Sequence, residues 1–162
     1  MSRSSLFSPR NLAIVALLAA SASASADVSQ GVISQFRGQL VVTKDDLPEG
    51  KNDKETVSKI KAVQLHEVVG NTSEDVTHWH FHYTAFLSKT GATSLKLEFV
   101  TDDKDKRLSA DKQLEGVDAK SNVLSGDISI DEDEGLAKGK TYSVELVAGG
   151  NTIVAKSTVT FK

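Results

Sequence analysis

No cysteine occurs anywhere in the 162 residues. Disulfides, thiolate metal sites, catalytic thiols and a lipid-modified N-terminal cysteine are thereby excluded, so any core must hold by packing alone. Long apolar runs are also missing. The longest, residues 12–20, is about half of what a bilayer-spanning helix requires, and nothing after it is apolar enough to stop in a membrane. A basic stripe is lacking too, which argues against nucleic acid or an anionic membrane as a partner. Equally absent are a Gly-x-Ser-x-Gly elbow, a His-Glu-x-x-His helix and a phosphate-cradling glycine loop, so the expectation is a protein that is not an enzyme. We find no internal repeat, low-complexity tail or second domain.

What is present begins with residues 1–26. Arg3 and Arg10 precede the apolar run, and small residues follow it, ending in Ala24-Ser25-Ala26 before Asp27. A basic head, a short apolar core and an A-x-A site form a secretory signal peptide, cleaved most simply after Ala26. Export to a periplasm or the extracellular space follows. Residues 27–162 then make one domain, with seventeen basic against twenty-two acidic residues, a net charge of −5 with His neutral.

Within that domain, apolar residues alternate with period two far more often than they recur at helical spacing. Tyr142, Val144, Leu146 and Ala148 share one face. A Gly149-Gly150-Asn151 turn follows, and Ile153, Ala155, Val159 and Phe161 supply the return face. Residues 94–101 alternate Leu95, Leu97 and Phe99. In residues 77–87, Trp79, Phe81, Tyr83, Ala85 and Leu87 fall on one side. The link 89–93 reads as a hairpin loop, with Gly91 free to take positive φ. Further strands are expected at 32–43, 60–69, 107–114 and 123–130. The one helical expectation is a turn or two within 53–60, set in a solvated loop. Seven or eight short strands separated by turns favour an all-β fold, an antiparallel sandwich.

The segment from Gly135 through Leu136, Gly139 and Tyr142 to Val144 resembles the approach to the penultimate strand of fibronectin type III and other immunoglobulin-like domains. That resemblance implies an immunoglobulin-like β-sandwich. It makes Tyr142 the corner tyrosine, whose hydroxyl bonds back to upstream backbone, with Leu136 packed beneath it. It implies architecture and carries no function.

The chemical clue is histidine. All four, His66, His78, His80 and His82, fall within seventeen positions. If the aromatic side of 77–87 faces the core, His78, His80 and His82 point outward together. One strand cannot offer all three to a single ion, because His78 and His82 stand about 13 Å apart. A workable metal site therefore combines a His-x-His pair with a cross-strand ligand. His66 qualifies if it lies opposite His80, and Asp102 or Asp103 qualifies if residues 77–87 and 94–101 form a hairpin. Such a set suits a Zn, Cu or Ni ion. Solvated side chains on an outer sheet face, or a pH-responsive patch, are the alternatives.

The acidic run 131–135 reads as a solvated turn rather than a calcium loop, and 102–107 as a charged loop. Trp79, Phe81 and Tyr83 read as core. Asn71-Thr72-Ser73 is a glycosylation sequon, meaningful only in a eukaryotic secretory pathway. Two expectations stand side by side. One is an exported, non-enzymatic binding or structural module whose partner is an envelope protein or glycan. The other is a periplasmic metal-binding protein.

Overall fold

A computed structural model describes residues 20, 21, 23, 24 and 28–162, with side chains from Val28 onward. Apart from those four leading positions, the expected signal peptide lies outside the described residues. The elements in order are β1 (Ala20–Ser21), β2 (Ser23–Ala24), α1 (Gln30–Phe36), β3 (Leu40–Thr43), α2 (Asp53–Val63), β4 (Glu67–Val68), β5 (Asn71–Ser73), β6 (Val76–Phe86), β7 (Leu95–Thr101), β8 (Leu108–Glu115), β9 (Val123–Asp131), a 3-10 turn (Glu132–Glu134), β10 (Lys140–Ala148) and β11 (Thr152–Phe161). The protein is thus mostly β, in two sheets. The first runs β1-β8-β7-β10-β11-β4, and the second β2-β9-β6-β3 with β5 beside β6. Orientation is mixed: β1 with β8 and β4 with β11 are parallel, and every other pair is antiparallel.

Alternation makes the main core. Trp79, Phe81, Tyr83 and Ala85 from the second sheet meet Leu97, Phe99, Val144 and Leu146 from the first, all buried. Phe161 is the hub, its ring 5.7 Å from Trp79 and 5.9 Å from each of Phe81, Phe99 and Tyr142. Edge-on and tilted aromatic contacts of this kind add about 1 kcal/mol apiece beyond area burial. The Trp79 indole N–H donates to the Lys162 carbonyl at 3.0 Å, so its polar end is satisfied. Gly91 takes a φ of +99°, as its loop position requires. Among the described residues no helix is long and apolar enough to cross a membrane.

Several sequence expectations are corrected. Residues 32–43 are not one strand: Val32, Ile33 and Phe36 are the buried face of α1, and only Leu40–Thr43 is extended. Ser29 caps that helix, its hydroxyl accepting from the Val32 N–H at 3.3 Å. Nor are residues 60–69 a strand. Ile60 to Val63 form the last turn of α2, and Val69 is exposed. α2 is three turns long because Asn52 accepts from the Glu55 N–H at 3.0 Å, Glu55 accepts from the Lys51 N–H, and Glu55 pairs with Lys59 at i+4. The link 89–93 is a crossover, since β6 and β7 belong to different sheets. Ile153 is exposed while Val154 and Ala155 are buried, because a bulge opposite Leu146 and Val147 shifts the alternation of β11.

The helices create a second, smaller core on the outer face of the second sheet. Val32, Ile33 and Phe36 of α1 and Ile60 of α2 cover Val41, Phe86 and Val123. Phe36 stacks on Phe86 with ring centroids 5.1 Å apart. At this end the second sheet is therefore buried on both faces. Further along β6 the helices stop and the outer face opens.

Candidate functional site: a roofed groove beside a histidine–aspartate ladder

Along β6 and β9 the register pairs His78 with Asp131, His80 with Ser129 and His82 with Asp127. Antiparallel neighbours in such pairs lie about 5 Å apart, close enough for their side chains to bond. His78 Nδ1 is 3.6 Å from Asp131 Oδ2, and His80 Nδ1 is 2.9 Å from the Ser129 hydroxyl. His82 Nδ1 is 3.1 Å from Asp127 Oδ1, and the same oxygen is 4.0 Å from His80 Nε2. The other ring nitrogen of His82 faces Asp46 Oδ1 at 3.4 Å. His82 is the odd member. It is only 6% exposed, whereas His78 and His80 are open to solvent. All three imidazoles stand on the outer face of β6, as the alternation implies, but the segment after β3 covers His82 and leaves His78 and His80 open.

Two other residues expected near this ladder are elsewhere. His66 is exposed beside the edge of the first sheet, where its carbonyl accepts from the Thr160 N–H at 2.9 Å. Asp102 lies in the loop after β7, also on the first sheet, and bonds Lys106 Nζ at 2.8 Å. The cross-strand carboxylates that the structure does supply, Asp127 and Asp131, are in β9. Their signal was legible as the outward set Ser125, Asp127, Ser129, Asp131 at period two. What the sequence left open was which strand lies next to β6. Among the described residues, no group of three or more His, Asp or Glu side chains is placed to hold a metal ion.

Where the ladder runs under the helices, a groove of about 630 Å³ opens. Its floor is His82, Thr84 and Ser125 from the sheet. Its roof is the segment from Asp46 to Lys51, and its inner wall is the start of α1 and of α2. Val32 and Ile60 give that wall an apolar base, with Leu47 packed against the same cluster. Polar groups rim it. Asp53 accepts from the Ser29 hydroxyl at 2.6 Å, which fixes one carboxylate. Its other oxygen lies so close to Gly31 that a Cβ there would collide with it, so glycine is what lets α1 approach α2. The Asp46 side chain, 95% exposed, stands at the mouth with its carboxylate facing His82. Thr84 is only 2% exposed and lines the groove.

Two acidic features are structural. Asp131 and Glu134 form a reciprocal capping box around the 3-10 turn. Glu132 accepts from the Thr77 N–H at 2.8 Å, and that bond holds its carboxyl below the usual carboxylate range. The 102–107 loop is likewise held by Asp103, which accepts from the Thr101 hydroxyl and from the N–H groups of Asp105 and Lys106.

Compared with known proteins, the chain matches no family model and no curated protein.

Proposed function

We propose that the protein is an exported, non-enzymatic binding module of the cell envelope or extracellular space, built on an immunoglobulin-like sandwich of fibronectin type III character. The architecture is supported by seven principal strands divided three and four between two sheets. It is further supported by the Ala137 N–H donating to the Tyr142 hydroxyl at 2.9 Å, with Leu136 buried beside it. That is the bond the sequence resemblance implies. Export is supported by the leader-like residues 1–26.

The observation that carries a binding role is the groove. A sandwich has no packing need for two helices and a strap laid over one outer face, and here they enclose a recess with a polar floor and an apolar wall. Native mass spectrometry of untagged protein from the envelope of producing cells tests the reading. The expected result is a chain beginning at Asp27 that carries added mass, released on denaturation. A bare chain still beginning at Met1 in the cytosol contradicts it.

A second reading, divalent transition-metal binding, is favoured by one observation. Asp127 Oδ1 lies within 4.0 Å of both His80 and His82 ring nitrogens. Those side chains would have to converge further on a Zn, Cu or Ni ion, with Asp46, 3.4 Å from His82 Nε2, as a further donor. Calorimetric titration of residues 27–162 decides it. Near-stoichiometric binding lost in His80→Ala/His82→Ala supports this reading, and heat unchanged by the double substitution sinks it.

A further inference from the structure

We infer that the seam between the outer edges of β8 and β9 is a strand-acceptor site, opened when the leader is removed, and that its occupant is an extended, uncharged segment of small residues from a partner chain. This rests on the export reading, in which the chain is cut after Ala26, and it adds a second surface to the groove. Three features of the fold meet at this seam.

First is what fills it in the uncut chain. Ala20–Ser21 runs parallel to β8, in register with Leu114 and Glu115. Ser23–Ala24 runs antiparallel to β9, in register with Ser125 and Leu124. These two short pieces, one residue apart in sequence, thus pair with both sheets, and β1 also lies against β9. All four residues precede Ala26, so the cut that frees the mature chain takes them away.

Second is what removal leaves. Among the described residues β7 is the other neighbour of β8, and β6 the other neighbour of β9. Both therefore become edge strands, each with a row of backbone N–H and C=O groups lacking partners. Proline and a bulge, two devices that blunt such edges, are missing at this end. Neither strand contains proline. The register shift of β8 lies at its start, opposite Phe99 and Val100, and β9 pairs with β6 without a break. A regular edge of this kind is a template for another strand.

Third is the chemistry that the seam calls for. Leu114 and Leu124 are both buried members of the main core. Residues in register share a sheet face, so the positions opposite these leucines belong to the core side and suit small, uncharged residues. Residues 20–24 are all alanine or serine, with alanine opposite both leucines. Once they are gone, apolar core stands beside bare backbone. A strand of like composition restores the ladder and the cover together.

The test is amide-resolved hydrogen exchange on the chain purified from the envelope and beginning at Asp27, with a synthetic peptide of residues 19–25 as the probe. The same peptide N-methylated on alternate backbone amides, in both alternate sets, is the control, because it keeps the side chains and removes ladder donors. Without peptide, amides around Leu114 and Leu124 should exchange faster in the cut chain than in the uncut one. With peptide at about ten times its Kd they should slow about tenfold, while those of Phe99 and Val144 stay unchanged. N-methylation should weaken binding about threefold to tenfold for each hydrogen bond lost. Ala20→Asp/Ala24→Asp in the peptide should abolish it. No slowing, equal slowing by the N-methylated peptides, or slowing elsewhere in the fold overturns the proposal. So does protection of both edges before peptide is added, accompanied by a dimer in sedimentation, since a second copy would then be the occupant. A cut chain that ignores the peptide but carries added mass in native mass spectrometry overturns this inference alone. A chain that is never cut overturns the export reading with it.

Discussion

Tyr83 and Tyr142 are the only tyrosines, and their hydroxyls have opposite situations. Tyr142 accepts from the Ala137 N–H, tying the loop after the 3-10 turn to the start of β10. Tyr142→Phe should cost about 1 kcal/mol in chemical denaturation, because the Ala137 N–H loses its partner in a part-buried place. Tyr83 is fully buried, and its hydroxyl has no partner among the described residues. Tyr83→Phe should be neutral or raise stability by up to about 1 kcal/mol, since a desolvated hydroxyl with no bond is removed. The same burial, with the Asp127 carboxylate adding to it, pushes the Tyr83 phenol well above its ordinary value. The sign is fixed by that direction. The unfolded chain ionises this phenol near pH 10 and the folded protein does not, so its contribution to stability is full below that pH and falls above it. In an alkaline absorbance titration the Tyr83 phenolate should appear only together with unfolding. Glu132 shows the opposite sign at the acid end: its lowered carboxyl favours the fold at neutral pH and ceases to do so as pH falls through the carboxylate range.

Among the elements, the strands of the main core were legible in the sequence, α2 only in part as a turn or two within 53–60, and α1 not at all. Trp79, Phe81, Tyr83 and Ala85 kept strict period two because β6 presents one face to a continuous core, and Leu95, Leu97 and Phe99 did the same for β7. Val32, Ile33 and Phe36 are spaced i, i+1 and i+4, a pattern compatible with one helical face. The extended residues that follow, Leu40 to Thr43, draw the eye to a longer strand. Ile60 was likewise merged with the apolar residues after it. The helices also explain why His82 and Thr84 are buried although they stand at outward positions. A residue's face is set by its strand, but what covers that face is set by elements distant in sequence. The same limit hid Asp127 as the neighbour of His82, because a loop such as 89–93 reads alike whether it turns within one sheet or crosses to the other. Phe36→Ala is the sharp test of the helical layer. Loss of the stack on Phe86 should cost about 3–4 kcal/mol and release α1 from the sheet, seen as faster hydrogen exchange at Val41 and Phe86 than at Phe99. Uniform protection across both sheets would show that the helices do not form this second core.

For the molecule as a whole, the two cores divide the work. The aromatic cluster around Phe161 joins the sheets, while the helices and strap shape one outer face into a recess beside exposed His78 and His80. The histidine run that stood out in the sequence belongs to the rim of that recess, and only His82 enters its floor. The proposal at stake is that the protein is exported and meets a ligand at this face. Site-specific photo-crosslinking in the envelope of living cells tests it most directly, with the reactive side chain placed at Leu47 in the groove or at Asp105 in the exposed loop of the opposite sheet. A discrete adduct is expected from Leu47 and none from Asp105. Adducts of equal yield from both positions, or from Asp105 alone, would contradict it.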